Sequence, residues 1–377
     1  MKKIKYGMIG GGIGAFIGDA HRRAARISNQ FELLGGVFDI DYEQGQAFAK
    51  LEDLDLNRCY PNIEKFIEGE LSLPSDQRIE AVAIVTPNFF HFSQAKILLE
   101  NGFNVMCEKP MTLTVEDAQE LKMIVEKRGA SFALMHTYTG YPMIREMKSL
   151  ISQGVIGDIQ RVDAQYYQGW INSIIHDEKG DLSKVWRLNP KYSGISSCMA
   201  DIGVHAFNMV EYVTGVQVKS VLADLNNIKE TVKMDLDGTV LLRFDDNFKG
   251  VIRASQVAVG EANRLEIRVY GSKGGLKWSQ ENPNELYLMS DTEPTKVYTP
   301  GNSYNGDFAA MSQKMPAGHP EGIYESMANI YAGFAKSIHH KEYIDGEFPT
   351  VDDGVRGLKF VHSVVKSSSL NCEWIEI

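Results

Sequence analysis

Ile4-Lys5-Tyr6-Gly7-Met8-Ile9-Gly10-Gly11-Gly12-Ile13-Gly14-Ala15 carries the first decision about this chain. Residues 4–9 form a short apolar run that reads as a strand, and glycines follow it at once. The turn holds Gly10-x-Gly12-x-x-Ala15, with Ile13 and Gly14 completing the loop. One glycine permits the tight turn, and a second lets backbone approach a pyrophosphate. A small residue then allows the next helix to pack on the sheet with its amides facing the phosphates. Alone, such a pattern is often only a structural turn. Here a strand precedes it, a helical pattern follows it, and an acid closes the next apolar run, 32–38. That acid, Asp39, lies 24 residues beyond Ala15, near the spacing expected for a carboxylate on the adenine-side ribose hydroxyls. A carboxylate there repels a 2′-phosphate, so NAD is expected, with NADP the less favoured cofactor because one neighbouring side chain can reverse the preference.

Working outward, short apolar runs continue to alternate with helical patterns. Residues 81–85 read as a buried strand ending at Thr86-Pro87-Asn88, and a helix over 91–100 stops at Asn101-Gly102. The next strand is 103–107. Thr114, with Asp117 three residues on, caps a helix to Lys127, and 131–135 closes the series. This alternation predicts a parallel sheet with crossover helices. After about residue 138 the pattern changes. A helix over 142–153 precedes alternating segments at 159–167, 218–225, 238–244, 250–257 and 264–270, which suit an antiparallel sheet with one buried face. A helix over 201–213 ends at Gly215, and a last helix spans 351–368. The expectation is an α/β protein of two domains, 1–138 and 139–377, whose last helix is free to pack back on the first.

A length of 377 residues agrees with two cores rather than one. Hydrophobic content of 44% and charged content of 23% are those of a soluble globular protein, and a net charge of −10 argues against a nucleic-acid partner. No run approaches the roughly 18 apolar residues of a membrane span. The opening apolar run is broken by glycines rather than followed by a cleavage-like segment. Cys59, Cys107, Cys198 and Cys372 are scattered, without zinc or redox spacing, so a reduced, cytoplasmic setting is expected. No metal site is expected either, since the pairs His339-His340 and Asp352-Asp353 are adjacent and point apart on a helix.

Glu108-Lys109-Pro110 stands just past the carboxyl end of a parallel strand, where open sheets of this type bind ligands. An ammonium there can hold a substrate oxygen and stabilise charge developing on it. Taken alone, a strand-end lysine is more often a solvated charge. With the glycine turn, Thr86-Pro87-Asn88, Glu108-Lys109-Pro110 and Asp201-x-x-x-His205 together, the chain resembles the glucose–fructose oxidoreductase/inositol dehydrogenase/rhizopine-catabolism (Gfo/Idh/MocA) family over essentially its whole length. The resemblance implies an N-terminal Rossmann domain, a C-terminal α/β domain with a large, mainly antiparallel open sheet, and a homodimer or homotetramer. It carries a catalytic-site role onto Lys109. Gly-Ala-Phe-Ile-Gly at 14–18 and His319-Pro320-Glu321-Gly322 look closest to a branch that oxidises sugars and cyclitols, including anhydrosugars, scyllo-inositol and glycosides. The glycine loop is slightly longer than the commoner family pattern, which leaves open the amides that would meet the pyrophosphate. Thr86, Pro87, Asn88, His91 and Glu108 are expected on the cofactor side. Trp186-Arg187 matches a family pattern near the nicotinamide.

Asp201 and His205 lie four apart, so on a helix they share a face, while Ile202, Ala206, Met209, Val210 and Val213 form an apolar stripe elsewhere. His205 is therefore expected on a polar flank with Asp201 and Asn208. An imidazole suits removal of a hydroxyl proton, and Asp201 can orient it or pair with Lys109. The bland reading is an N-cap aspartate with a surface histidine. Tyr138, Trp170, Arg187, His205 and His319 are the expected substrate contacts, since aromatic faces with a few donors suit a sugar ring. Each aromatic taken alone is more often core packing. The expected function is an NAD(P)-dependent oxidoreductase moving a hydride between the nicotinamide and a secondary hydroxyl of a sugar, glycoside or inositol. The rivals are an NAD-dependent glycosidase acting by transient oxidation and, more remotely, a non-catalytic dinucleotide-binding regulator. Retention of Lys109, Asp201 and His205 counts against the last.

Overall fold

The computed structural model describes residues 2–177, 182, 185–341, 343 and 346–377. The chain divides into two compact units, Met1–Gly140 with Ile323–Val355, and Tyr141–Gly322 with Arg356–Ile377.

The first unit strings together β1 (Ile4–Ile9), α1 (Phe16–Ser28), β2 (Phe31–Val37), α2 (Tyr42–Leu51), α3 (Ile63–Ser72), β3 (Ala81–Ile84), α4 (His91–Glu100), β4 (Asn104–Cys107), α5 (Val115–Arg128) and β5 (Phe132–Leu134). The strands form one parallel sheet in the order β2-β1-β3-β4-β5. Every residue of β3 is buried, as expected for a strand covered on both faces. Helix starts are set by short polar side chains. Asp41 accepts the Glu43 amide at 2.9 Å, Asn62 accepts that of Lys65 at 2.9 Å, and Thr114 accepts that of Asp117 at 3.1 Å. Gly129, with φ of 59°, ends α5 in the left-handed conformation.

A helix from much later in the sequence, α11 (Ile323–His340), completes this unit. Tyr331 packs edge-on to Phe31 at 5.2 Å and to Tyr6 at 6.4 Å, and Phe334 stacks on Phe31 at 6.0 Å. Such aromatic pairs add to simple area burial. The expected single boundary near 138 is therefore corrected: residues 323–355 return to the first unit. The last helix, α12 (Val351–Ser369), contains the point where the chain passes to the second.

In the second unit α6 (Pro142–Ser152) precedes β6 (Ile159–Tyr167), the short helices α7 (Asn172–His176) and α8 (Pro190–Ser193), and α9 (Val204–Thr214). The remaining strands are β7 (Val218–Asn226), β8 (Asp237–Phe244), β9 (Lys249–Ser255), β10 (Arg264–Gly271), β11 (Gly275–Ser279), β12 (Leu286–Met289), β13 (Lys296–Tyr298) and β14 (Ile375–Glu376), with α10 (Asp307–Ser312) between β13 and α11. They form a nine-stranded sheet in the order β13-β12-β11-β10-β6-β9-β8-β7-β14, antiparallel except for the β6–β9 pair. In β8, Gly238, Val240, Leu242 and Phe244 are buried while Thr239, Leu241 and Arg243 are exposed, so the predicted alternation marks one covered face. Phe207 of α9 stacks on Phe360 of α12 at 4.4 Å. Among the described residues, no helix is long and apolar enough to cross a membrane.

Candidate active site

In the first unit, the glycine turn is stitched to the end of β2. Gly10 N donates to Val37 O at 2.7 Å and Gly12 N to Phe38 O at 3.0 Å, while Ala15 N donates to Gly12 O at 3.2 Å. These three amides are occupied within the protein. The first-turn amides of α1 have no intrahelical acceptor by geometry, and Ala15 supplies no side-chain cap. That uncapped helix start is where an anion is favoured. The small residue expected at Ala15 for close helix packing is instead Gly18: a Cβ there would lie 2.3 Å from Gly11 Cα. The longer loop moves the helix start, and with it the point of closest approach. Arg22, one turn further on, donates to Gly11 O at 2.6 Å and stacks 4.6 Å from the Phe48 ring.

A cleft of about 500 Å³ runs from this turn past Asp39 and Ile40 to Thr86 and the 61–63 loop. Asp39 Oδ1 accepts the Asp41 amide at 3.0 Å, and its Oδ2 lies on the Gly12 side, 3.7 Å from where a Gly12 Cβ would be. Ile40 is 99% exposed, an apolar wall with no protein neighbour covering it. The 61–63 segment escaped sequence reading. A parallel bridge between Gly36 and Cys59 brings it to the cleft, and no local signal announces that pairing. A β-carbon at Gly12 would stand 2.8 Å from Phe38 O, so that position has room only for bare backbone. An uncapped helix start, a carboxylate for ribose hydroxyls and an apolar wall fit an NAD molecule.

Thr86 and Pro87 line this cleft, and Thr86 Oγ1 donates to Gln94 Oε1 at 2.7 Å. Asn88 opens a 3-10 turn leading into α4. His91 and Glu108, expected on the cofactor side, are not among the residues lining this cleft. His91 is fully buried, with Nδ1 at 2.8 Å from Pro110 O and Nε2 at 2.8 Å from Thr86 O, so it ties two turns together from beneath. Burial pushes its pKa down. The Glu108 carboxylate also faces inward, 2.9 Å from His21 Nε2, and accepts the Lys109 amide at 3.1 Å. Lys109 leads into a cis peptide to Pro110. Met135 N donates to Cys107 O at 2.9 Å, so the ends of β4 and β5 run side by side. There His136 is buried, and burial, then the Lys109 charge, lowers its pKa to about 3. Sequence reading missed His136, although a residue just past a parallel strand was the available signal. Tyr138 sits buried in the 3-10 turn Thr137–Gly140, whose Gly140 carbonyl accepts Asn329 Nδ2 at 2.9 Å.

In the second unit, Asp201 lies within a π-helical turn, Met199–Gly203, that opens into α9. The expected uninterrupted helix over 201–213 is thus corrected at its first turn, where wider bonding re-aims side chains. Buried Asp235 holds the start of this turn, accepting Ser197 N at 2.9 Å and Met199 N at 2.8 Å, and burial raises its pKa. Gln256 Nε2 donates to Asp201 Oδ2 at 2.9 Å, and Arg187 Nε lies 3.5 Å from the same oxygen. The Arg187 guanidinium stacks 4.5 Å from the Trp186 ring and 5.9 Å from that of Trp170. Trp170, the Trp186-Arg187 pair and Asp201, singled out at three places in the sequence, therefore meet in one cluster. His205 is only 7% exposed, with the Tyr166 ring 6.3 Å away, so the polar flank expected beside it is a buried one. Asn208 is buried too. His319 is exposed in a loop whose base is clamped by Glu321, which accepts the amides of Lys314 and Met315 at 2.7 and 2.8 Å. Gln256, Asp235 and Tyr166 were not legible, since each reaches the site from a different strand or loop.

Comparison with known proteins agrees with this geometry. Residues 4–136 match the oxidoreductase family with an NAD-binding Rossmann fold, and residues 144–277 match the GFO/IDH/MocA C-terminal domain. The uncharacterized oxidoreductase YfiI of Bacillus subtilis is 32% identical over 100% of this chain and 97% of its own. The 2,7-anhydro-N-acetylneuraminate hydratase of Mediterraneibacter gnavus is 33% identical over 92% of this chain and 89% of its own. An inositol dehydrogenase homolog from Azotobacter vinelandii, solved with NADH and myo-inositol, superposes with a TM-score of 0.91 at 29% identity, covering 100% of this chain and 98% of that one. With both domains matched and the dinucleotide cleft formed, the chain belongs to the Gfo/Idh/MocA family and is an NAD-binding oxidoreductase.

Proposed function

We propose that the enzyme moves a hydride between NAD and a secondary hydroxyl of a sugar, glycoside or cyclitol. Bound NAD supplies the hydride acceptor, and the protein supplies everything else. Lys109 holds the substrate oxygen and stabilises negative charge as it develops there. His205 takes the hydroxyl proton, and returns it in the reductive direction. Asp201, restrained by Gln256 and Arg187, orients the imidazole. Trp170, Trp186 and Arg187 receive the apolar faces and hydroxyls of a ring, and Tyr138 and His319 are further contacts. The observation that carries the reading is the Arg187 cluster, a cation between two aromatic faces beside a fixed carboxylate. That set suits a neutral polyol. The Azotobacter homolog, solved with myo-inositol, supports the same substrate class.

The test is a panel of inositols, free sugars, anhydrosugars and glycosides with NAD and NADP, followed at the reduced-nicotinamide band. Lys109→Ala should lower turnover by about 1,000-fold or more and leave NADH affinity nearly unchanged. Retained turnover in that variant would remove the assignment. A homodimer or homotetramer in the cytoplasm belongs to the same reading; light scattering on the purified protein reports the first.

The hydratase relative favours a second reading, in which oxidation is transient and the net reaction is redox-neutral. Lys109 and His205 would serve it equally. Product formation from a glycoside or anhydrosugar without NADH accumulation distinguishes it from the first.

A further inference from the structure

A buried chain of side chains within the first unit reaches the Lys109 turn from behind. Tyr331 of α11 lies with its hydroxyl 2.8 Å from His21 Nδ1. His21 Nε2 lies 2.9 Å from Glu108 Oε1, and the other carboxylate oxygen accepts the Lys109 amide at 3.1 Å. His21 is 0% exposed, Tyr331 1% and Glu108 8%, so these bonds form out of water, where each is stronger and costly to leave unmade. One neutral tautomer satisfies all of it: Tyr331 donates to Nδ1, and Nε2–H donates to the carboxylate.

The same helix carries the dinucleotide turn. In α1, Gly18 touches Gly11, Arg22 holds the Gly11 carbonyl, and His21, between them in sequence, faces Glu108. We infer that His21, backed by Tyr331, is a positioning residue that fixes Glu108 and through it the backbone of Lys109. The turn that grips the cofactor and the turn that presents the amine are thereby held by one rigid helix. Nothing in this arrangement needs His21 to touch substrate or cofactor. The inference rests on the reading in which Lys109 meets the substrate, yet its geometry can be tested without any substrate.

Two measurements separate the outcomes. In the NADH complex, hydrogen exchange of the segment spanning Glu108–Met111 should quicken about tenfold or more in His21→Leu, and return towards wild type in His21→Gln, whose amide can still donate to Glu108. In turnover with the most active compound of the panel, His21→Leu should lose about 10- to 100-fold in kcat with KM for the polyol and NADH affinity within about threefold of wild type. His21→Gln should recover most of that loss, which a purely structural defect would not show. Unchanged exchange in His21→Leu, or a glutamine variant no better than leucine, overturns the inference. Should His21→Leu fail to bind NADH through misfolding, Tyr331→Phe decides. Faster exchange at the same segment with an intact fold supports the inference, and unchanged exchange overturns it. A panel without any turnover would remove the proposed function while leaving the exchange result to stand.

Discussion

Gln256, fully buried at the end of β9, donates its side-chain amide to Asp201 Oδ2 at 2.9 Å, although 55 residues separate the two in sequence. The carboxylate is thereby set from the sheet beneath it, and Arg187 approaches the same oxygen from the side. Gln256→Leu should reduce kcat about tenfold, because Asp201 regains rotational freedom. It should also cost about 1–3 kcal/mol of stability, since buried polar partners lose their bonds. Steady-state kinetics and urea unfolding read the two effects. Wild-type kcat in this variant would show that the Asp201 orientation is set elsewhere.

Asp39 points one oxygen at the Asp41 amide and keeps the other on the Gly12 side of the dinucleotide cleft. Replacing it by serine removes a charge that would repel a 2′-phosphate. The NADP-to-NAD ratio of kcat/KM should rise by about tenfold or more in Asp39→Ser. An unchanged ratio would mean that another side chain sets the preference.

Gly18 and Gly14 make an internal contrast. A methyl group at Gly18 would sit 2.3 Å from Gly11 Cα, whereas one at Gly14 meets nothing within 4 Å but lies on backbone with φ of 77°. Gly18→Ala should destabilise the first unit by about 2 kcal/mol or more and weaken NADH binding at least about tenfold, because α1 is pushed off the turn. Gly14→Ala should cost only about 1 kcal/mol of backbone strain. Thermal unfolding and NADH fluorescence titration of the pair test the difference. Equal effects would dismiss Gly18 as the packing glycine.

His136 brings a pH dependence. Its folded pKa, lowered to about 3 from an ordinary 6.5 by burial and then by the Lys109 charge, means that the folded protein keeps this ring neutral. The unfolded chain takes up a proton below about pH 6.5 that the folded chain refuses until about pH 3. Stability from this group is therefore full above pH 6.5 and declines as pH falls through that window, by about 1.4 kcal/mol per pH unit. Urea unfolding at about pH 7 and about pH 5 should show a shallower decline in His136→Gln than in wild type. Identical slopes would argue that the ring is hydrated.

Much of the first unit is readable along the chain because its devices are local. The strand running into glycines at Gly10–Gly12, the Thr114 cap with Asp117, the Asn101-Gly102 stop and the acid at Asp39 each act within a turn or two of their neighbours. The alternation at 159–167 and 238–244 likewise encodes which face of a strand is covered. The spacing of Asp201-x-x-x-His205 is likewise visible along the chain, although the π-helical turn at Asp201 and the burial around His205 are not.

The sequence by itself determined that a parallel sheet with a dinucleotide turn is followed by a largely antiparallel one, and it nominated Lys109, Asp201 and His205 as the catalytic candidates proposed above. Tertiary structure alone decided that 323–355 rejoin the first unit, that Gly18 rather than Ala15 meets the turn, and that Glu108 and His91 face inward as struts. It also decided that Tyr331 reaches His21 and that Gln256 reaches Asp201. The reason is physical. Periodicity and capping report the interactions of a residue with neighbours a few positions away, whereas partners 55 to 310 residues apart meet only through the path the chain takes around its cores.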